Sequence, residues 1–110
     1  KYAIADRDNH RVQLCPGAGG ACTTIAGTGS AGSGATQFHG PFGVAITGIT
    51  WTWTTTTTTT TSLTTTSWSS ARIYVISDMH NHRVQLCPGA GGACTTIAGN
   101  GGRGSGNTQL

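Results

Sequence analysis

NHRVQLCPGAGGACTTIAG occupies residues 9–27 and returns without a single difference at residues 81–99. The chain is therefore built on one duplicated unit. A unit this short cannot bury an apolar face alone, so its copies must pack on neighbours to make a continuous core, and two copies are too few to close a ring. The offset from Cys15 to Cys87 is 72 residues, much longer than the recognisable unit, so something is inserted between the copies. Alignment sets Tyr2-Ala3-Ile4-Ala5-Asp6 over Tyr74-Val75-Ile76-Ser77-Asp78 and residues 27–38 over residues 99–110. Between them lies a threonine tract that occurs once.

Each copy reads as short β-branched or alternating runs separated by Gly and Asx clusters, which is the spacing of antiparallel strands. No helix is expected. Val12 and Leu14 alternate with Arg11 and Gln13, placing two apolar side chains on one face and two polar ones on the other. Residues 73–76 are apolar at successive positions, as in a strand covered on both faces, and read as an inner strand.

A strand ending in Asp, two variable residues, Asn9-His10-Arg11 or Asn81-His82-Arg83, a Gly-rich hairpin, Thr-Ile-Ala-Gly, and later Pro41 to Ile46 together resemble the NHL-repeat family. The resemblance covers the chain except for the threonine tract. It implies units of about forty residues forming the four-stranded antiparallel blades of a β-propeller. On that reading residues 1–38 are one unit lacking its innermost strand. Residues 39–110 are a complete second unit, with residues 48–71 as a Thr/Ser/Trp-rich projecting insertion. The resemblance makes Asp6, Asn9, His10, Arg11, Asp78, Asn81, His82 and Arg83 structural residues of turns and blade contacts. Asx side chains at such turns are expected to bond nearby backbone groups. An open first blade implies an assembly, either as one segment of a longer array or through an adjacent chain adding the missing strand.

Composition narrows the function classes. Of 110 residues, 18 are Gly and 8% are charged, and the net charge of +3 rests on six basic residues, two of them in the repeat itself. That leaves no basic patch for nucleic acid. There is no initiator Met, no signal-like apolar run and no stretch long enough to span a membrane, so the sequence reads as a mature or excerpted chain.

All four cysteines sit in two CPGAGGAC elements, in which Cys15 ends one expected strand and Cys22 begins the next, as do Cys87 and Cys94. Six intervening residues suit a hairpin staple, worth about 2.5 kcal/mol on the chain-entropy model less any strain. The alternatives are zinc ligation, whose Cys pairs usually stand closer, and free thiols. A disulfide reading implies an oxidising, extracellular compartment.

The inserted tract holds Trp51, Thr52, Trp53, then Thr54, Thr55, Thr56, Thr57, Thr58, Thr59, Thr60 and Thr61, and later Thr64, Thr65, Thr66 and Trp68. It must leave and return at nearly one place, as a projecting hairpin or a loose loop, and its length costs little entropy. Threonine favours extended backbone, but a run of it offers no apolar face to bury. Dense Ser and Thr in an extracellular chain is the composition of O-glycosylated segments, which makes Thr52, Thr54–Thr61 and Thr64–Thr66 the expected glycan acceptors. An unmodified disordered loop and a bare Thr ladder with Trp51, Trp53 and Trp68 on one face are the alternatives. No Asn-x-Ser/Thr sequon occurs.

His80 and His82 make an HxH pair whose only nearby carboxylate is Asp78, and the first copy has Asp8 in place of His80, so no metal is expected. Some NHL-like propellers are peptide-amidating lyases with a metal and an Arg in the channel, which needs residues from many blades. No catalytic residue and no cofactor are therefore expected, and the chain reads as a non-enzyme. The expected partners are copies of itself or neighbouring repeats in head-to-tail assembly, with covalent O-linked glycans. The expected role is a fibre or surface-coat glycoprotein, located outside the cell or at its surface. The alternative is an excerpt of a closed propeller that binds protein or carbohydrate.

Overall fold

A computed structural model describes residues 1–58, 63–89 and 91–110. The described residues are all-β, arranged as two antiparallel sheets, neither of which closes into a barrel. The first sheet has the order β1 (Tyr2–Asp6), β2 (Arg11–Cys15), β3 (Thr23–Ala26). The second has the order β4 (Pro41–Thr58), β5 (Leu63–Asp78), β6 (Arg83–Pro88), β7 (Thr95–Ala98). Two single 3-10 turns, Arg7–Asn9 and Met79–Asn81, join the first strand of each duplicated unit to the next.

The duplication in sequence is a duplication in register. β1 pairs with β2 from Tyr2↔Cys15 to Asp6↔Arg11, and β5 pairs with β6 from Tyr74↔Cys87 to Asp78↔Arg83. Both copies bulge at the same step, Val12/Gln13 and Val84/Gln85. Each turn ends in a left-handed histidine, His10 at φ 50° and His82 at φ 47°. Gly27, at φ +89°, follows β3 where an added Cβ would stand 2.5 Å from the His10 carbonyl oxygen, so this close backbone approach requires glycine. Gly99 does the same for the second copy.

The core joins the two sheets. Val12, Ile25, Ala26 and Phe38 from the first unit cluster with Tyr74, Ile76, Cys87 and Cys94 from the second. Phe38 is fully buried, and truncating such a side chain typically costs about 3–5 kcal/mol. β5 lies inside its sheet, with Tyr74 and Ile76 buried but Ile73 and Val75 only partly so, so one of its faces is covered better than the other.

The inserted tract forms a projecting hairpin over its described residues, one of the two forms left open by the sequence. β4 and β5 pair from Pro41↔Asp78 out to Thr58↔Leu63, while β6 accompanies β5 only as far as Ile73↔Pro88. Beyond that point the strands continue as a two-stranded ribbon, which leaves the sheet at a bulge between Ile46 and Gly48. From residue 48 to residue 58 this is about 35 Å of extended chain at roughly 3.3 Å per residue.

Candidate functional site

Two features stand out: the polar junction between the duplicated units and the ribbon that projects from the second. At the junction, Asp78 is fully buried at the end of β5. Its Oδ2 accepts from Arg83 Nε at 2.9 Å and from Asn81 Nδ2 at 2.8 Å. Its Oδ1 accepts the backbone N–H of His39 at 2.8 Å. The carboxylate thus holds Arg83 in one orientation, and the guanidinium fork faces the loop that follows β3. Arg83 Nη1 donates to the Ser33 carbonyl at 2.8 Å, and Nη2 donates to the carbonyls of Gly34 at 3.0 Å and Gln37 at 2.9 Å. Asn81 Nδ2 donates to the Gly32 carbonyl at 2.8 Å, and the Cys94 N–H to the Ala35 carbonyl at 2.8 Å. A planar cation with fixed donors suits such a cluster of backbone acceptors, and each charge-assisted bond is stronger than a neutral one.

These partners correct one expectation. Asx side chains at the turns were expected to bond nearby backbone, but Asp6 and Asp78 accept mainly from the Asn and Arg side chains of the repeat signature, and neither caps its turn. Asp78 takes one backbone N–H, from a residue distant in sequence. On the polar face of β6, Gln85 is 1% exposed and accepts from Thr96 Oγ1 at 3.2 Å. The physical reason is the loop at residues 32–37, which covers that face in the second copy.

The first copy keeps the internal network without the cover. Arg11 Nε meets Asp6 Oδ2 at 2.9 Å, and Asn9 Nδ2 meets Asp6 Oδ1 at 2.8 Å. The Arg11 bond, followed by that from Asn9, holds the Asp6 carboxyl below its ordinary value of 3.8. The Arg11 and Asp6 side chains are 37% and 25% exposed, against 11% and 0% for Arg83 and Asp78. They line an open groove of about 710 Å³ that also takes in Asn9, Gln13 and Cys22.

Histidines stack across the same junction. His39 lies edge-on to His10 at 5.5 Å between ring centroids and tilted against His80 at 4.8 Å, while His10 Nδ1 accepts the Gly40 N–H at 3.1 Å. His82 caps its turn through its backbone N–H to the Met79 carbonyl. Among the described residues no group of three or more His, Cys, Asp or Glu side chains could hold a metal.

Both cysteine pairs are disulfides, Cys15–Cys22 with S–S 2.03 Å and Cys87–Cys94 with S–S 2.05 Å. The second is buried with the core, while Cys22 is exposed. Among the described residues no helix is long and apolar enough to cross a membrane.

Along the ribbon, directly paired residues share a face. One face carries Thr50, Thr52, Thr54 and Thr56 opposite small residues such as Ser69 and Ser67. The other carries Ile49, Trp51 and Trp53 near the root and Thr55, Thr57, Thr64 and Thr66 further out. Thr52, Thr54, Thr55, Thr56, Thr57, Thr64 and Thr66 are all exposed. Of the other expected acceptors, Thr59, Thr60 and Thr61 lie outside the described residues, as do the side chains of Thr58 and Thr65, and so does the side chain of Trp68 from the alternative Trp-faced ladder.

Sequence reasoning missed the loop that Arg83 grips. Its signal is Gly-Ser-Gly, one variable residue, then Thr-Gln, present at residues 32–37 and again at residues 104–109. In both copies the glutamine N–H bonds back to the third residue of that motif, Gln37 to Gly34 at 3.1 Å and Gln109 to Gly106 at 3.0 Å. Comparison with protein-family models, curated proteins and solved structures found no match to this chain.

Proposed function

We propose that the chain is a unit of an extracellular structural glycoprotein, a fibre or surface coat, in which NHL-type blades pack head to tail and the ribbon carries O-linked sugars outward. The observation that carries this reading is the ribbon itself. It continues past the last strand that could support it, is lined on both faces by exposed threonine, and among its described residues contributes nothing to the core. A two-stranded ribbon whose outer part presents threonine on both faces is marginal in water, whereas crowded sugars would hold it extended and solvated. Two disulfides suit an oxidising compartment, and no cofactor or catalytic role is part of the proposal.

The test is intact and glycopeptide mass spectrometry, without reduction, on material from the native source. Several sugars on residues 52–66 are expected. Bare threonines would overturn the glycoprotein reading.

A second reading has one observation in its favour. Ile49, Trp51 and Trp53 are exposed in a row near the ribbon root, and aromatic faces of this kind stack on sugar rings. The chain would then be part of a closed NHL propeller with a carbohydrate- or protein-binding ribbon. Saturable quenching of tryptophan fluorescence by oligosaccharides, lost in Trp51→Ala, would favour it.

A further inference from the structure

We infer that the Asp6–Asn9–Arg11 groove is a socket for the loop at residues 104–109 of a second copy of this chain, so that copies join head to tail through the contacts the molecule already makes once within itself. The inference rests on reading the chain as an assembling unit and names the residues that join it. The internal joint supplies the template. There Asp78, Asn81 and Arg83 grip the carbonyls of Gly32, Ser33, Gly34 and Gln37. Each half of that joint occurs a second time.

The second socket is preformed. Asp6 and Arg11 stand at the same register positions as Asp78 and Arg83, with the Arg Nε to Asp Oδ2 bond at the same 2.9 Å. Asn9 Nδ2 donates to Asp6 at the same 2.8 Å as Asn81 to Asp78, to Oδ1 rather than Oδ2. Among the described residues the Nη groups of Arg11 meet no carbonyl, and they border the 710 Å³ groove where the loop sits in the other copy.

The second loop is preformed as well. Residues 104–109 repeat Gly-Ser-Gly, one variable residue, Thr-Gln, and Gln109 Oε1 accepts the Gly106 N–H at 3.1 Å as Gln37 Oε1 accepts the Gly34 N–H at 3.4 Å. At the internal joint the residue after the loop, Phe38, is fully buried, while its counterpart Leu110 is 50% exposed. In the joint between copies, Arg11 Nη1 would take the Ser105 carbonyl and Nη2 those of Gly106 and Gln109. Asn9 Nδ2 would take Gly104, and the Cys22 N–H would take Asn107. Socket and loop are different surfaces of one molecule, so the contact is heterologous and propagates into a filament or, if the rotation closes, a ring.

The joint is tested on unglycosylated recombinant chain by sedimentation velocity, with negative-stain microscopy of any assemblies. Concentration-dependent association into filaments or rings is expected for the parent chain and for the exposed control Arg72→Ala, which lies outside the joint. Arg11→Ala and, independently, Asn9→Ala are expected to sediment as monomers, with intact disulfides and unchanged circular dichroism. Gly104→Val combined with Gly106→Val, which crowds the Gln109 side chain, is also expected to be monomeric. The deciding arm mixes this loop variant with Arg11→Ala. One good socket and one good loop remain, so the mixture should stop at a one-to-one heterodimer.

A parent chain that stays monomeric at millimolar concentration, or socket variants that associate as the parent does, would overturn the inference. So would a mixture that gives no heterodimer. Because the protein carries no sugar, these outcomes stand apart from the glycopeptide result, which bears on the glycoprotein reading alone.

Discussion

The backbone N–H of Cys94 donates to the carbonyl of Ala35 at 2.8 Å, tying the disulfide hairpin of the second unit to the loop that closes the first. The staple is therefore part of the junction as well as a local brace. Cys87 is fully buried and Cys94 is 8% exposed, whereas Cys22 at the equivalent place in the first unit is exposed. Thiol–disulfide exchange needs a line of attack on a sulfur atom, so two chemically identical hairpins should differ in rate. Limited reduction of the monomer followed by alkylation and peptide mapping should label Cys15 and Cys22 well before Cys87 and Cys94. Equal labelling would show that the junction does not shield the second staple.

The two Asp–Arg pairs have the same geometry and different surroundings. Arg83→Ala strips the partner from a buried carboxylate and frees three carbonyls, which should cost about 3–5 kcal/mol. Arg11→Ala removes a partly exposed, solvent-screened pair and should cost the isolated chain about 0–1 kcal/mol. Urea denaturation of the two variants checks the contrast, and near-equal losses would mean that the covering loop adds nothing to the second pair.

Acid should act on the first pair in a definite direction. Arg11 and then Asn9 hold the Asp6 carboxyl lower in the folded chain than in the unfolded one. Its contribution is thus fully present above the ordinary value of 3.8 and fades as pH falls below that value through the folded-state value. An NMR titration of the Asp6 carboxyl should show a midpoint below 3.8 that moves back up in Arg11→Ala. A midpoint unmoved by that substitution would assign the shift to another cause.

How much of this was legible in the sequence differs by residue. The strands were, because Val12 and Leu14 alternate with polar neighbours and the duplicated stretch repeats that alternation at Val84 and Leu86. The hairpin staples were legible because six residues between cysteines suit a turn. Burial of Gln85 and the grip of Arg83 were not, since both depend on a loop that returns from some fifty residues away in sequence. Periodicity reports which face of a strand is polar. It cannot report that another segment lies over that face, and only the recurrence of Gly-Ser-Gly and Thr-Gln pointed to it.

The ribbon should be dispensable for folding. Every residue of the core cluster lies outside it, and β5 gains its third-strand partner only from Ile73 onward. Ile49 and Arg72 face each other at the ribbon root, so replacing residues 50–71 with Asn-Gly would close the strands with a two-residue hairpin turn. The ribbon brings backbone ladder bonds but also the ordering entropy of its residues, and with Ile49, Trp51 and Trp53 left exposed rather than buried these should nearly cancel. The shortened chain is therefore expected to keep both disulfides and unfold within about 1 kcal/mol of the parent in urea. A loss of several kcal/mol would mean that the ribbon supports the sheet from which it projects. In that case its threonines would owe their extended form to the fold, and the sugars would not be needed to hold them.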